Sequence, residues 1–369
     1  MALPQPTSAL HSDTLPPIPQ TWSELSWSQL CGCWQAKMRY GGNADVARAA
    51  ALLAVCGLTV EGREPADSRT GETVYRLKDQ DGQTWTTTAR QLAHLARQTM
   101  PWFDWPYGDQ GDKEERDEQG KVVRERREGH PGYVHPNQQD WRDAMVLQEE
   151  TVEVAGVTFA LPQGACSNIT WHQYRSLQAI APQLWQDGLT DDEARSLHAQ
   201  FLAYILVPAP ATADTGDRFH TKPSFRYDAE RAEASVAFWE NQLSIEHGAL
   251  NIEHSHAAGS APANNVQSSM FNVQSPLVLF HICFQVWQTA VANFYPSVFP
   301  LLFGGGKSDP LHTALTGETD TINAVMKYQG YSSPEQVYNT ELPIILGTLN
   351  TMSKEAKEIE KMNAKIKHK

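Results

Sequence analysis

The residues best suited to chemistry in this chain are a Gly-Lys-Ser triplet, a closely spaced cysteine pair and two groups of histidines. Leu301-Leu302-Phe303-Gly304-Gly305-Gly306-Lys307-Ser308 ends as a phosphate loop ends. The first glycine of that motif would fall on Leu301, and Pro296 and Pro300 oppose the strand that should lead into it, so the segment reads as a turn. Cys31 and Cys33 lie two positions apart, which on a helix points their thiols to different sides and suits packing better than a shared metal. His247, His254 and His256 have the ligand type for zinc, but their repetitive setting offers no rigid outer shell. His130 and His135 sit in a Gly/Pro loop without a nearby cysteine, so a metal there would need distant partners. The patterns G-x-S-x-G, H-E-x-x-H and G-x-G-x-x-G do not occur. No catalytic, cofactor-binding or metal-binding residue is therefore expected, and a hydrolase or nuclease with a non-local site is kept as an alternative.

The elements that would carry any site are more informative. Leu25-Ser26-Trp27-Ser28-Gln29-Leu30 returns as Ile169-Thr170-Trp171-His172-Gln173-Tyr174. Each copy opens a helix, with Ser26 or Thr170 placed to cap orphan backbone N–H groups. A second helix follows each copy, from Asp45 toward Cys56 and from Asp192 toward Val207. The unit is a helix-turn-helix of about forty residues, within the range of helical repeats. Trp27 and Trp171, each at a helix start, are expected to anchor the core.

Between the copies, Thr73–Leu77 and Gln83–Thr87 flank Asp79-Gln80-Asp81-Gly82, a hairpin pattern. A helix is expected over Ala89–Gln98, and Thr151–Leu161 is expected to add a strand to the hairpin's antiparallel sheet. Residues 1–20 read as a flexible arm, 21–162 as an α+β domain with a mobile insertion at 104–135, and 163–207 as the second helical repeat. Residues 208–275 read as a linker containing low-complexity sequence, in which Ile245-Glu246-His247 recurs as Ile252-Glu253-His254. A helical region, 276–369, completes the chain. The fold class expected is α+β and mainly α-helical, with duplicated helix-turn-helix units, a small antiparallel β-sheet and a helical C-terminal region.

Leu277–Phe303 is the most apolar stretch, yet His281, Gln285 and Gln288 recur on one helical face, and Pro296 and Pro300 cut it short. A buried amphipathic helix is expected there rather than a membrane span. Two segments carry residues suited to a partner surface: the aromatic cluster with Trp102, Phe103, Trp105 and Tyr107, and the terminal segment with Ile359, Met362 and Ile366. In that segment Ser353 is read as an N-cap, early glutamates and late lysines suit the helix dipole, and Ala356 joins the thin apolar stripe.

The chain has 369 residues and a formal charge of −13, which argues against general nucleic-acid binding. Five cysteines, an odd number without scaffold spacing, fit a reducing compartment, and the Pro-rich start lacks the pattern of a signal peptide. A cytoplasmic protein is expected.

Asp320–Met326, Gly330–Tyr338 and Leu342–Leu346 read as three short helices in succession. This pattern, with the opening Ile169–Arg175, resembles phage tail assembly proteins of the chaperone-like kind, and the whole layout, including the Lys37–Asn43 stretch, resembles uncharacterised proteins of bacterial prophages. The resemblance implies a non-enzymatic, cytoplasmic protein of a bacterial host that binds tail tube or tape-measure proteins during virion assembly. It leaves open a minor structural component of the particle, and it implies no cofactor and no fixed oligomeric state.

Overall fold

The computed structural model describes residues 8–11, 15–40, 43–64, 72–104, 143–147, 149–186, 188–208, 227–257, 275–303 and 318–367. Two compact units are formed, Met1–Met145 with Asn251–Val273, and Val146–Leu250 with Gln274–Lys369.

The first unit opens with a short strand, β1 (Ser8–Ala9), followed by α1 (Trp27–Tyr40) and α2 (Ala44–Val55). Helix α1 contributes Leu30, Cys31, Cys33, Trp34 and Ala36 to the core, and α2 contributes Ala47, Ala50, Ala51, Leu52 and Val55. The small residues among them let the two helices approach closely. Next come β2 (Thr59–Glu64), β3 (Val74–Lys78), β4 (Thr84–Thr88) and α3 (Ala89–Thr99). Strands β2, β3 and β4 pair antiparallel in that order, and β1 lies parallel to the free edge of β4, with Ser8 opposite Trp85. Thr88 caps α3 in a capping box with Gln91, and Leu92, Leu95 and Ala96 bury the face that the sequence spacing predicted.

Order thus begins before Trp22. Residues 8–10 add to the sheet, the Leu10 N–H donating to the Thr86 carbonyl at 3.2 Å, rather than belonging to a flexible arm. An unpaired strand edge with an apolar Leu10 beside it recruits the passing chain.

The second unit starts with β5 (Thr151–Val154) and β6 (Val157–Ala160). Here Thr151–Leu161 does not complete the first sheet. It folds on itself, because Ala155 and Gly156 adopt φ of 49° and 80°, the left-handed pair that a two-residue hairpin demands. Helices α4 (Trp171–Ile180) and α5 (Asp191–Ile205) follow, and β7 (Val207–Pro208) supplies the third strand of this sheet, against β6.

The linker expected over 208–275 contains a long helix, α6 (Ala229–Ala257). Trp239 and Leu243 are fully buried, and the Trp239 ring lies 4.7 Å from Phe159 of β6, so the helix covers one face of the small sheet. Glu246 belongs to a recurring tripeptide, yet its carboxylate has a structural role at the start of α7 (Pro276–Thr289). It accepts from the Leu277 N–H at 3.0 Å and from the Ser275 hydroxyl, where the helix dipole favours an anion.

Helix α7 is amphipathic as its pattern predicted: Val278, Leu279, Ile282, Cys283, Phe284 and Val286 are buried, and His281, Gln285 and Gln288 are half-buried. Phe201 of α5 meets Phe284 edge-on at 5.3 Å. A π-turn over Ala290–Phe294 leads into α8 (Tyr295–Val298) and α9 (Pro300–Phe303). By length and composition alone Pro276–Val298 would also span a bilayer, but half of its most apolar window is buried inside the protein.

Helices α10 (Glu318–Gln329) and α11 (Pro334–Tyr338) fall where the sequence placed them, and α12 (Leu342–Lys367) begins at the expected Leu342 but runs on through the terminal segment as one helix. The molecule is α+β and mainly helical, with the helix-turn-helix unit present twice, as α1–α2 and as α4–α5.

Candidate interaction surface

The duplicated motif is held by the same hydrogen bonds in both copies. In the second, the Thr170 hydroxyl accepts from the Gln173 backbone N–H at 3.3 Å and the Gln173 side-chain Oε1 accepts from the Thr170 backbone N–H at 2.8 Å. The Gln173 amide then donates to the Tyr204 carbonyl, near the end of α5, at 2.8 Å. In the first, Ser26 and Gln29 cap each other, and the Gln29 amide donates to the Val55 carbonyl, at the end of α2, at 2.9 Å. One glutamine thus caps the first helix and fastens the second. The glutamine stands in the repeated hexapeptide in both copies, two residues after each tryptophan expected to anchor the core. Of these, Trp171 is buried and stacks near Tyr174 at 5.6 Å, whereas Trp27 is only half-buried.

Helix α12 is positioned by the second copy. The Trp171 N–H donates to the Thr340 carbonyl at 3.0 Å and the Leu342 N–H to the Ile169 carbonyl at 2.8 Å, which fixes where α12 begins. Leu342, Ile345, Leu346, Leu349 and Ser353 are buried in its first half. Ser353 is not an N-cap. Its hydroxyl donates back to the Leu349 carbonyl at 2.9 Å inside one continuous helix of 26 residues, because Pro343 starts the helix and nothing after it breaks the run. From Lys354 to Ile366 every residue is exposed, with Ile359 at 53%, Met362 at 56% and Ile366 at 70%.

The aromatic cluster has a different fate. Trp102 and Phe103 are buried in the first unit rather than offered to a partner. Trp22 stacks on Phe103 at 5.9 Å, its indole N–H donates to the Trp102 carbonyl, and the Trp102 indole donates to the Pro19 carbonyl at 2.9 Å. The Lys37 amine lies 4.3 Å above the Phe103 ring. The rings close over the chain's own Pro-rich segment, which supplies the carbonyl they need. Trp105 and Tyr107 lie outside the described residues, as do all of the 104–135 insertion after Asp104, the Gly304–Ser308 loop, His130 and His135.

Two further clusters in the second unit combine polar and aromatic groups. His172 shares a hydrogen bond with the Tyr227 hydroxyl at 2.7 Å and packs between Tyr204, Tyr227 and Tyr338. Burial, then Tyr204, Glu233 and Asp228 nearby, holds the Tyr227 hydroxyl protonated well above its ordinary range. The second is an open groove of about 420 Å³ lined by Arg175, Gln178, Ala179, Ala181, Pro182 and Trp287.

Nucleophilic chemistry finds little support in the thiols. Burial pushes Cys31 and Cys56 up to about 12 and Cys33 and Cys166 higher still, so none is a thiolate near neutral pH. Among the described residues, no three potential metal ligands come together. No protein family, no curated protein and no solved structure matches this chain.

Proposed function

We propose that the chain is a non-catalytic binding protein whose docking element is the exposed half of α12. The observation that carries this reading is the helix's change of environment at Ser353: a first half that buries Leu342, Ile345, Leu346 and Leu349 continues as a helix whose apolar side chains Ile359, Met362 and Ile366 face solvent. A helix standing free in water with a thin apolar stripe gains little from its own fold, and such stripes dock into grooves or against other helices. The body supplies the rigid platform, fastened at Thr340 and Leu342 to the second helical repeat.

The resemblance of the 320–346 region to phage tail assembly proteins supplies the partner class: tail tube or tape-measure protein, met in the bacterial cytoplasm. The test is binding of purified full-length chain to each of these proteins, compared with a chain ending at Ser353. Binding that depends on residues 354–369 supports the reading; equal binding by both forms sinks it. Detection of its peptides in purified particles would instead identify a minor structural component.

A further inference from the structure

The open groove of the second unit is built by α4, the residues that end it, and α7. Arg175, Gln178 and Ala179 stand at i, i+3 and i+4 of α4 and so share one face. Ala181 and Pro182 follow the helix, and Trp287 of α7 completes the lining. Small side chains at 179 and 181 leave a space of about 420 Å³. The buried Tyr174 hydroxyl accepts from the Gln178 amide, and the Gln178 oxygen accepts from Arg175 Nη1 at 3.2 Å. This relay holds the guanidinium at the groove instead of leaving it to trail in solvent.

We propose that this groove binds a small carboxylic acid with an aromatic body. None of its described lining side chains is acidic, although the chain as a whole carries a formal charge of −13. A single guanidinium suits one planar carboxylate, which it meets with two parallel N–H groups, better than a phosphate dianion. A second donor stands in the same lining. Trp287 is only 7% exposed, and its buried indole N–H has no acceptor within the protein. A buried donor left without an acceptor is costly, and a carboxylate entering beside it removes that cost.

The rest of the lining, Ala179, Ala181, Pro182 and the Trp287 ring, is apolar. Trp185, three residues beyond Pro182, extends it. Its ring is 69% exposed and lies 5.8 Å from Phe284, one turn before Trp287 on α7. A tryptophan so exposed adds little to the core and offers a face on which a second ring can stack. The volume lies at the lower end of the range for small-molecule sites, which fits a ring-bearing acid better than a large cofactor. This site is separate from the exposed half of α12 and stands whether or not that segment docks on a partner.

The test titrates phenylacetate into the full chain carrying isotope-labelled tryptophan, with phenylacetamide as the neutral counterpart at matched ionic strength. The Trp287 indole N–H signal is assigned by its loss in Trp287→Phe. A saturable downfield shift of that signal by phenylacetate is expected. Affinity should fall about tenfold or more for the amide on the native chain, and for phenylacetate on Arg175→Gln. The remaining indole signals report whether each variant keeps the fold. Absence of a saturable shift overturns the proposal, and so does equal affinity for acid and amide or for native chain and folded Arg175→Gln. Should Arg175→Gln fail to fold, the comparison of acid with amide on the native chain decides.

Discussion

Gln173 illustrates how much one side chain holds here. It is almost fully buried, and its amide joins the Thr170 N–H at the start of α4 to the Tyr204 carbonyl at the end of α5. Removing it strands both groups away from water, so Gln173→Ala is expected to cost about 2–4 kcal/mol in urea unfolding. Gln29→Ala should cost about 1 kcal/mol, because Gln29 is half-exposed and water replaces the lost bonds. Equal costs for the two would contradict this assignment.

A second prediction at this scale concerns His281. Burial lowers its pKa from the ordinary 6.5 to about 4, so the folded chain stays neutral there while the unfolded chain takes up a proton. Stability should fall as pH drops from about 6.5 to about 4 and level off below that, by up to about 3 kcal/mol from this group. His281→Gln should flatten that part of the curve; an unchanged slope would show that other groups carry it.

At the scale of elements, the hairpin in the second unit stores a correctable strain. Ala155 occupies a left-handed conformation that disfavours a Cβ, and it precedes Gly156 in a turn where Asn-Gly is the preferred pair. Ala155→Asn is expected to raise stability by about 1 kcal/mol, read as a higher thermal midpoint; a lower midpoint would mean that the turn is held by contacts of the alanine methyl. This hairpin also shows where the sequence misled. Val152, Val154, Val157 and Phe159 read as one strand because the turn between them consists of an alanine and one glycine, a weak signal. Strands β1 and β7 span two residues each, too few for any periodicity. Helix α6 was hidden by its repeated tripeptides, although Trp239 and Leu243 lie four apart as on one helical face. By contrast, α3, α7 and the C-terminal helices were legible, since capping residues and apolar spacing agreed with the tertiary burial. The end of α12 was legible as an amphipathic helix, but its continuity with Leu342 was not, because Ser353 has the chemistry of a cap and serves here as a back-bonding interior residue.

For the whole molecule, the duplication read at Trp27 and Trp171 proved to be a duplication of hydrogen-bond logic, with Gln29 and Gln173 in matching roles. The residues expected at a partner surface divided instead. Trp102 and Phe103 were legible as anchors but not as anchors of their own chain, since the Pro19 carbonyl that binds Trp102 lies 83 positions away. Ile359, Met362 and Ile366 stayed at the surface. Because every residue from Lys354 to Ile366 is exposed, a chain ending at Ser353 should keep its thermal midpoint within a few degrees. The most direct measurement is therefore isothermal titration of purified tail tube and tape-measure proteins into the full-length chain and into the chain ending at Ser353. Binding by the full-length chain that vanishes in the equally stable truncated form is the predicted result. Equal binding by both, or none by either, would contradict a docking role for the exposed half of α12 toward these partners.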